Sequence, residues 1–174
     1  MQQSEDMLRQ LSDLIDKNKI HENLMRYCRG QDRKDLELVK STYWPDATDN
    51  HGSFVGNGHE FCEMAYRGQK TSGHSAIHHC SNLLIELRGD QAKCESAFIY
   101  VMIYPSKNLT KFLGGRYKDL CEKRGGEWKV LRRSTIFDWA NEFPGAQDFK
   151  GIFNFPSTAL VGNLYPNDPI HGEW

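Results

Sequence analysis

The chain of 174 residues has no surplus of either charge: 22 Lys and Arg stand against 23 Asp and Glu, leaving a net charge of −1. Such balance removes the electrostatic basis for nucleic acid or an anionic membrane surface as the main partner. Long apolar runs are also missing. The longest, around Ala97 to Tyr104, falls far short of the roughly 20 residues that a membrane-spanning helix requires. The opening MQQSEDMLRQLSDLIDK is charged and amphipathic, without the apolar segment of a secretion signal. There is no CxxC pair, and the five cysteines are odd in number and scattered, which fits reduced thiols in a cytoplasmic protein better than a disulfide or zinc framework. GxGxxG, P-loop and HExxH motifs are absent as well, and neither a cofactor nor a metal is expected. His74-x3-His78-His79-Cys80 is dense in ligand types, but a strand sends adjacent side chains to opposite faces.

What remains is a composition suited to one domain of 39% hydrophobic and 11% aromatic residues, large enough for a core with a pocket in it. Met7, Leu8, Leu11, Leu14, Ile15, Ile20, Leu24, Tyr27 and Cys28 recur at helical spacing, with Ser4 as N-cap and Gly30 as end or kink. A short helix is expected over Asp35–Val39, closed by Trp44-Pro45, then a turn and short strand over 46–56. A third helix runs from Gly58 to Gly68. Four strands follow, Ser75 to Leu87, Ala92 to Tyr104, Lys111 to Lys123 and Glu127 to Trp139, separated by turn residues as in an antiparallel meander. Residues 97–104 are apolar on both parities, so this strand should be covered by the helices on one face and by a second subunit on the other. Helices followed by a curved sheet give an α+β fold with a cavity on the concave side. The domain is expected to span 1–140. The Gly-, Pro- and Phe-rich segment 141–174 should pack over it or over a neighbour, either as a lid or as an interface arm.

Seven histidines are many for this length, and one inside an apolar cavity is a poised base because its ordinary pKa lies near neutrality. His74 and His78 share one strand face and His79 takes the other. Asp32, at the margin of the helical stripe, is the best carboxylate to orient such an imidazole. Tyr27 lies about 140° away on a regular helix, so the two meet one cavity only if the helix bends at Gly30. Arg133 shares parity with Leu131, Phe137 and Trp139 and should point inward, where it must be paired or hold an anion. Taken singly, each residue also has a bland explanation: His78 as a satisfied core or surface histidine, Asp32 as a cap or a partner of Arg29 or Arg33, Tyr27 as core, and Arg133 as a surface ion pair.

From Leu8 to Trp139 the ordered segments RYCRGQDRKDLE, YWPDATDNHGSFVG, IHHCSNLLIEL, GGRYKDLCEKRGGEWKV and RRSTIFDW resemble the SnoaL-like branch of the nuclear transport factor 2-like superfamily. The resemblance implies a cone of N-terminal helices on a strongly curved, mostly antiparallel sheet with an internal cavity, usually assembled as a homodimer or homotrimer. Scytalone dehydratase, hexachlorocyclohexane dehydrochlorinase and bile-acid 7α-dehydratase belong to this group and share an Asp–His pair. Its Y-x4-D pattern falls on Tyr27 and Asp32, and its H-x3-N-x3-E pattern on His78, Asn82 and Glu86. The dehydrochlorinase's arginine falls on Arg133, whereas the bile-acid enzyme's arginine slot holds Phe137. The implied activity is that of a cofactor-independent lyase acting on a small cyclic or aromatic hydrophobic compound. His78 takes a proton from carbon and Asp32 orients it. Tyr27 and Arg133 support the negative charge that develops as water, halide or a small carbonyl fragment departs. Trp44, His51, Phe54, Phe61, Tyr104 and Trp139 are the expected substrate-binding lining. Isomerisation on the same fold is an alternative, as is a non-catalytic ligand-binding or assembly role like that of ring-hydroxylating dioxygenase small subunits.

Overall fold

A computed structural model describes residues 2–145 and 155–172. Helix α1 (Gln2–Arg33) has its polar and apolar residues poorly segregated; its buried residues begin at Ile20, preceded by polar contacts of Asp16 with Lys123 and of Lys19 with Gly126 O. Met7, Leu8, Leu11, Leu14 and Ile15 are exposed, so the first half of the expected stripe is not buried among the described residues. The helix begins at Gln2, which places Ser4 inside it instead of at its cap. It also runs on through Gly30. The space saved there is used by helix α2 (Leu36–Ser41): a Cβ on Gly30 would stand 2.5 Å from Val39 Cγ2. Asp35 caps α2 by accepting the Leu38 amide at 3.1 Å. Trp44-Pro45 does not end a helix, but lies within strand β1 (Tyr43–Asn50).

Strand β2 (Val55–Asn57) returns on β1, and Asn57 caps helix α3 (Gly58–Ser72), which Gly73 closes in the left-handed conformation. The remaining strands are β3 (Ser75–Arg88), β4 (Gln91–Tyr104), β5 (Leu109–Arg124) and β6 (Glu127–Pro144). They join β1 and β2 in one six-stranded sheet of order β2-β1-β6-β5-β4-β3, antiparallel throughout except for β1 beside β6. The sheet is open: it curves over the helices without closing into a barrel. Its inner face carries Phe98, Tyr117, Trp128 and Val130 against Tyr27, Tyr43 and Cys28.

Strand β6 departs from simple alternation twice. Its pairing with β5 slips by one residue at Leu131 and again at Asp138. A bulge of this kind resets which parity faces inward. Trp128 and Val130 point in, and beyond the first bulge the inward set becomes Arg133, Thr135 and Phe137. Arg133 is therefore inward as expected, while Leu131 does not share its face. Trp139, beyond the second bulge, pairs with Gly114 and lies across it on the outer face, where a Gly114 Cβ would collide with the indole.

Strand β6 extends to Pro144, so residues 141–144 belong to the sheet and not to the terminal extension. Residues 146–154 and 173–174 of that extension lie outside the described residues. The part over 155–172 docks on the same chain at the end of α1: the Tyr165 amide donates to Arg33 O at 2.9 Å, and Asp168 meets Arg33 at 3.3 Å. None of the described helices is long and apolar enough to cross a membrane.

Candidate active site

Strand β3 alternates strictly over its first half, so His74, Ala76, His78 and Cys80 face the helices. His78 thereby meets the last turn of α1. Asp32 Oδ1 lies 2.6 Å from His78 Nδ1, and Asp32 Oδ2 accepts the backbone N–H of His78 at 2.9 Å. With the carboxylate bound at both oxygens, Nδ1 of the imidazole is the protonated nitrogen and Nε2 is left for chemistry. Both side chains are at least nine-tenths buried. The ring is further held by Tyr100, stacked on it at 4.2 Å, and by the edge of Tyr27 at 6.2 Å. No bend at Gly30 is needed to bring Tyr27 and Asp32 together, because the imidazole spans the angle between them.

His78 and Tyr27 open onto a mainly apolar cavity of about 340 Å³, walled by α3 on one side and by the inner face of β4, β5 and β6 on the other. His51, Phe61, Phe98, Tyr100, Tyr117 and Phe137 complete most of its wall. Burial pushes the Tyr27 hydroxyl well above the ordinary phenol value, against the pull of Arg133, so it is a neutral hydrogen-bond donor at any working pH. A larger recess of about 810 Å³ lies between Leu84–Glu86, Lys93–Glu95 and Arg132, and neither His78 nor His51 reaches it.

Of the expected lining residues, His51 and Phe61 are on the wall, and Phe54 packs behind Phe61 at 5.7 Å. Three others are elsewhere. Trp44 donates its indole N–H to Glu122 O at 2.9 Å and lies under Arg124 and Lys129. Tyr104 sits over His74 at 4.9 Å, beyond the cavity wall. Trp139 is on the outer face because of the second bulge in β6, and Phe137 takes the place intended for it. Arg133 is inward but does not reach the cavity. It makes a two-pronged bond to Asp119 at 2.7 and 2.8 Å and is sandwiched between the rings of Tyr27 and Tyr117, each 4.2 Å away. Its charge acts on the site only through those tyrosines.

Two features were not anticipated from the sequence. One is the row of aromatic side chains from β4 and β5, which strand parity alone could have placed. The other is Asp49, near the end of β1 and two residues before His51, which follows the strand. Asp49 Oδ1 lies 2.7 Å from His51 Nδ1, and its Oδ2 accepts the Tyr43 hydroxyl at 2.6 Å. Among the described residues no three His, Cys, Asp or Glu side chains gather as metal ligands would.

The SnoaL-like domain family matches residues 12–134. Comparison with curated proteins by sequence finds no match. Among solved structures, hexachlorocyclohexane dehydrochlorinase LinA-type3 from Novosphingobium barchaimii superposes with a TM-score of 0.71 at 19% identity, over 80% of this chain and 97% of that one. A protein from Novosphingobium aromaticivorans assigned as a scytalone dehydratase gives 0.69 at 21% identity, over 75% and 89%. The β subunit of an aromatic-ring-hydroxylating dioxygenase, so assigned in the same organism, gives 0.63 at 16% identity, over 74% and 92%. At these identities the likeness establishes a shared fold, one that hosts both lyases and a subunit of an oxygenase.

Proposed function

The chain belongs to the SnoaL-like domain family, and from that premise we propose that it is a lyase that needs no cofactor and eliminates a small leaving group from a cyclic or aromatic hydrophobic compound. The observation that carries this reading is the His78–Asp32 pair, buried at the wall of an apolar hollow with Nε2 uncommitted. Such a pair is a general base: the carboxylate fixes the tautomer and stabilises the imidazolium once a proton has been taken. A volume of about 340 Å³ suits a substrate of one or two rings, and the aromatic wall supplies faces for it to lie against.

In the proposed reaction His78 Nε2 removes a proton from a carbon beside an activating group. The C–H electron pair becomes the new double bond, and the bond to the leaving group breaks. Tyr27 donates a hydrogen bond to the oxygen on which negative charge develops, with the Arg133 guanidinium behind its ring favouring that charge. We place the protein in a reducing, cytoplasmic setting, in keeping with its five free cysteines.

The test is a screen of cyclic alcohols, halides and aromatic dimers with wild type, His78→Ala and Asp32→Asn. Each substitution should lower turnover by on the order of 10²–10⁴ while the protein stays folded by circular dichroism. Full activity in either variant, or ligand binding by the wild type with no turnover of any compound, would overturn the assignment. The second outcome would make the chain a carrier or an assembly subunit.

A further inference from the structure

The cavity is faced by a second histidine held by its own buried carboxylate. His51 stacks on Phe61 at 4.0 Å and lies on the wall shared by Tyr27, Tyr117 and His78. Its Nδ1 is committed to Asp49, whose side chain is fully buried and whose other oxygen is committed to Tyr43. The Thr135 hydroxyl lies 3.2 Å from each ring nitrogen, so a bound molecule would take Nε2 in exchange for Thr135. This repeats the carboxylate–Nδ1 pairing at His78, built from different elements: β1 and its following turn instead of α1 and β3.

Asp49, Arg133 and Asp119 are neighbours in register across β1, β6 and β5. All three are more than nine-tenths buried, so the carboxylate that holds His51 is fixed in the interior of the sheet.

We propose that His51, positioned by Asp49, is the proton donor to the leaving group, opposite His78 as the proton acceptor. This rests on the reading of the cavity as a site of elimination and narrows it to substrates whose leaving group is an oxygen that needs a proton: a hydroxyl, alkoxyl or aryloxyl group and not a halide. As His78 Nε2 takes the proton from carbon, the C–H pair forms C=C, and the C–O pair moves onto oxygen. That oxygen receives the proton from His51 Nε2, giving the alkene and a neutral alcohol, phenol or water. His78 then releases a proton to solvent and His51 regains one, so nothing is oxidised or reduced.

A series of 3-aryloxycyclohexanones tests the division of labour, with leaving groups running from 4-nitrophenol to unsubstituted phenol. A donor matters most for the most basic leaving group. In wild type the rate should depend weakly on the phenol. In His51→Gln the loss should be about tenfold or less for 4-nitrophenol and rise to about 10³-fold for phenol. Asp49→Asn should show the same slope with smaller losses, which a merely structural role would not produce. His78→Ala should lose all members alike. A uniform loss across the series in His51→Gln, or none, overturns the proposal and leaves the lyase reading intact. Failure of wild type to eliminate phenol from any member overturns the lyase reading itself. Should His51→Gln not fold, the slope in Asp49→Asn decides alone.

Discussion

Arg133 and Asp119 are the most deeply enclosed Arg–carboxylate pair among the described residues. The guanidinium is almost wholly enclosed, bonded twice to one carboxylate and covered on both faces by tyrosine rings. One of its nitrogens, Nη1, has no hydrogen-bond partner, so little is left to compensate if Asp119 is lost. Removing one member of a buried ion pair strands the other. Asp119→Asn is expected to lower the unfolding free energy by about 3–5 kcal/mol, read from urea denaturation followed by tryptophan fluorescence. A loss below 1 kcal/mol would show that the pair contributes little. At this scale the sequence was informative about chemistry and weak about direction. His78 and Asp32 could be paired because the spacing of Tyr27, Asp32, His78 and Asn82 follows a family pattern. The inward placing of Arg133 came out right although its presumed companions Leu131 and Trp139 face elsewhere. Trp44 and Tyr104 are aromatic for reasons unconnected with the cavity: one covers a pair of cations, the other a histidine. Composition cannot distinguish these uses.

Strands β3, β4 and β5 were legible to within two residues, because glycine turns and alternating apolar positions mark antiparallel hairpins strongly; β1 and the far end of β6 were not. What the pattern could not reveal is where a strand slips against its neighbour, since a bulge has no reliable mark in β6. Helix α1 was legible in kind but not in use: its apolar residues before Ile20 have the spacing of a buried face and are exposed among the described residues. The terminal segment was readable only as something that docks, and its anchor is Asp168. That carboxylate accepts the amides of Asn163 and Ile170 and faces Arg33, and these contacts hold its pKa below the ordinary 3.8. A lowered carboxylate pKa stabilises the docked state at every pH above 3.8 and loses that contribution as pH falls through the folded value. Hydrogen exchange of residues 160–172 should therefore be slow from neutrality to pH 4 and accelerate below it. In Asp168→Asn it should be fast throughout. Protection unchanged in that variant would show that the segment is held by other contacts.

Taken whole, the molecule leaves one face of its sheet unfinished. Ile77, Ile99 and Ile103 lie side by side on β3 and β4 with their backs to the cavity, each between 37 and 42% exposed. Apolar clusters of this kind are usually covered in solution. We propose a homodimer or homotrimer: light scattering on the eluted protein should return two or three times the 20.1 kDa chain mass, and Ile99→Glu should lower it. A wild-type monomer at micromolar concentration would refute this. The two bulges of β6 bear on how such a chain can change length. Losing the surplus residue at 131 or at 138 would keep every other side chain facing as it does and merely straighten the strand, flattening the hollow. Losing any single residue from 132 to 137 would instead turn part of the wall inside out. Shortenings in this family should therefore collect at the bulges, and each should be accompanied by a shallower cavity.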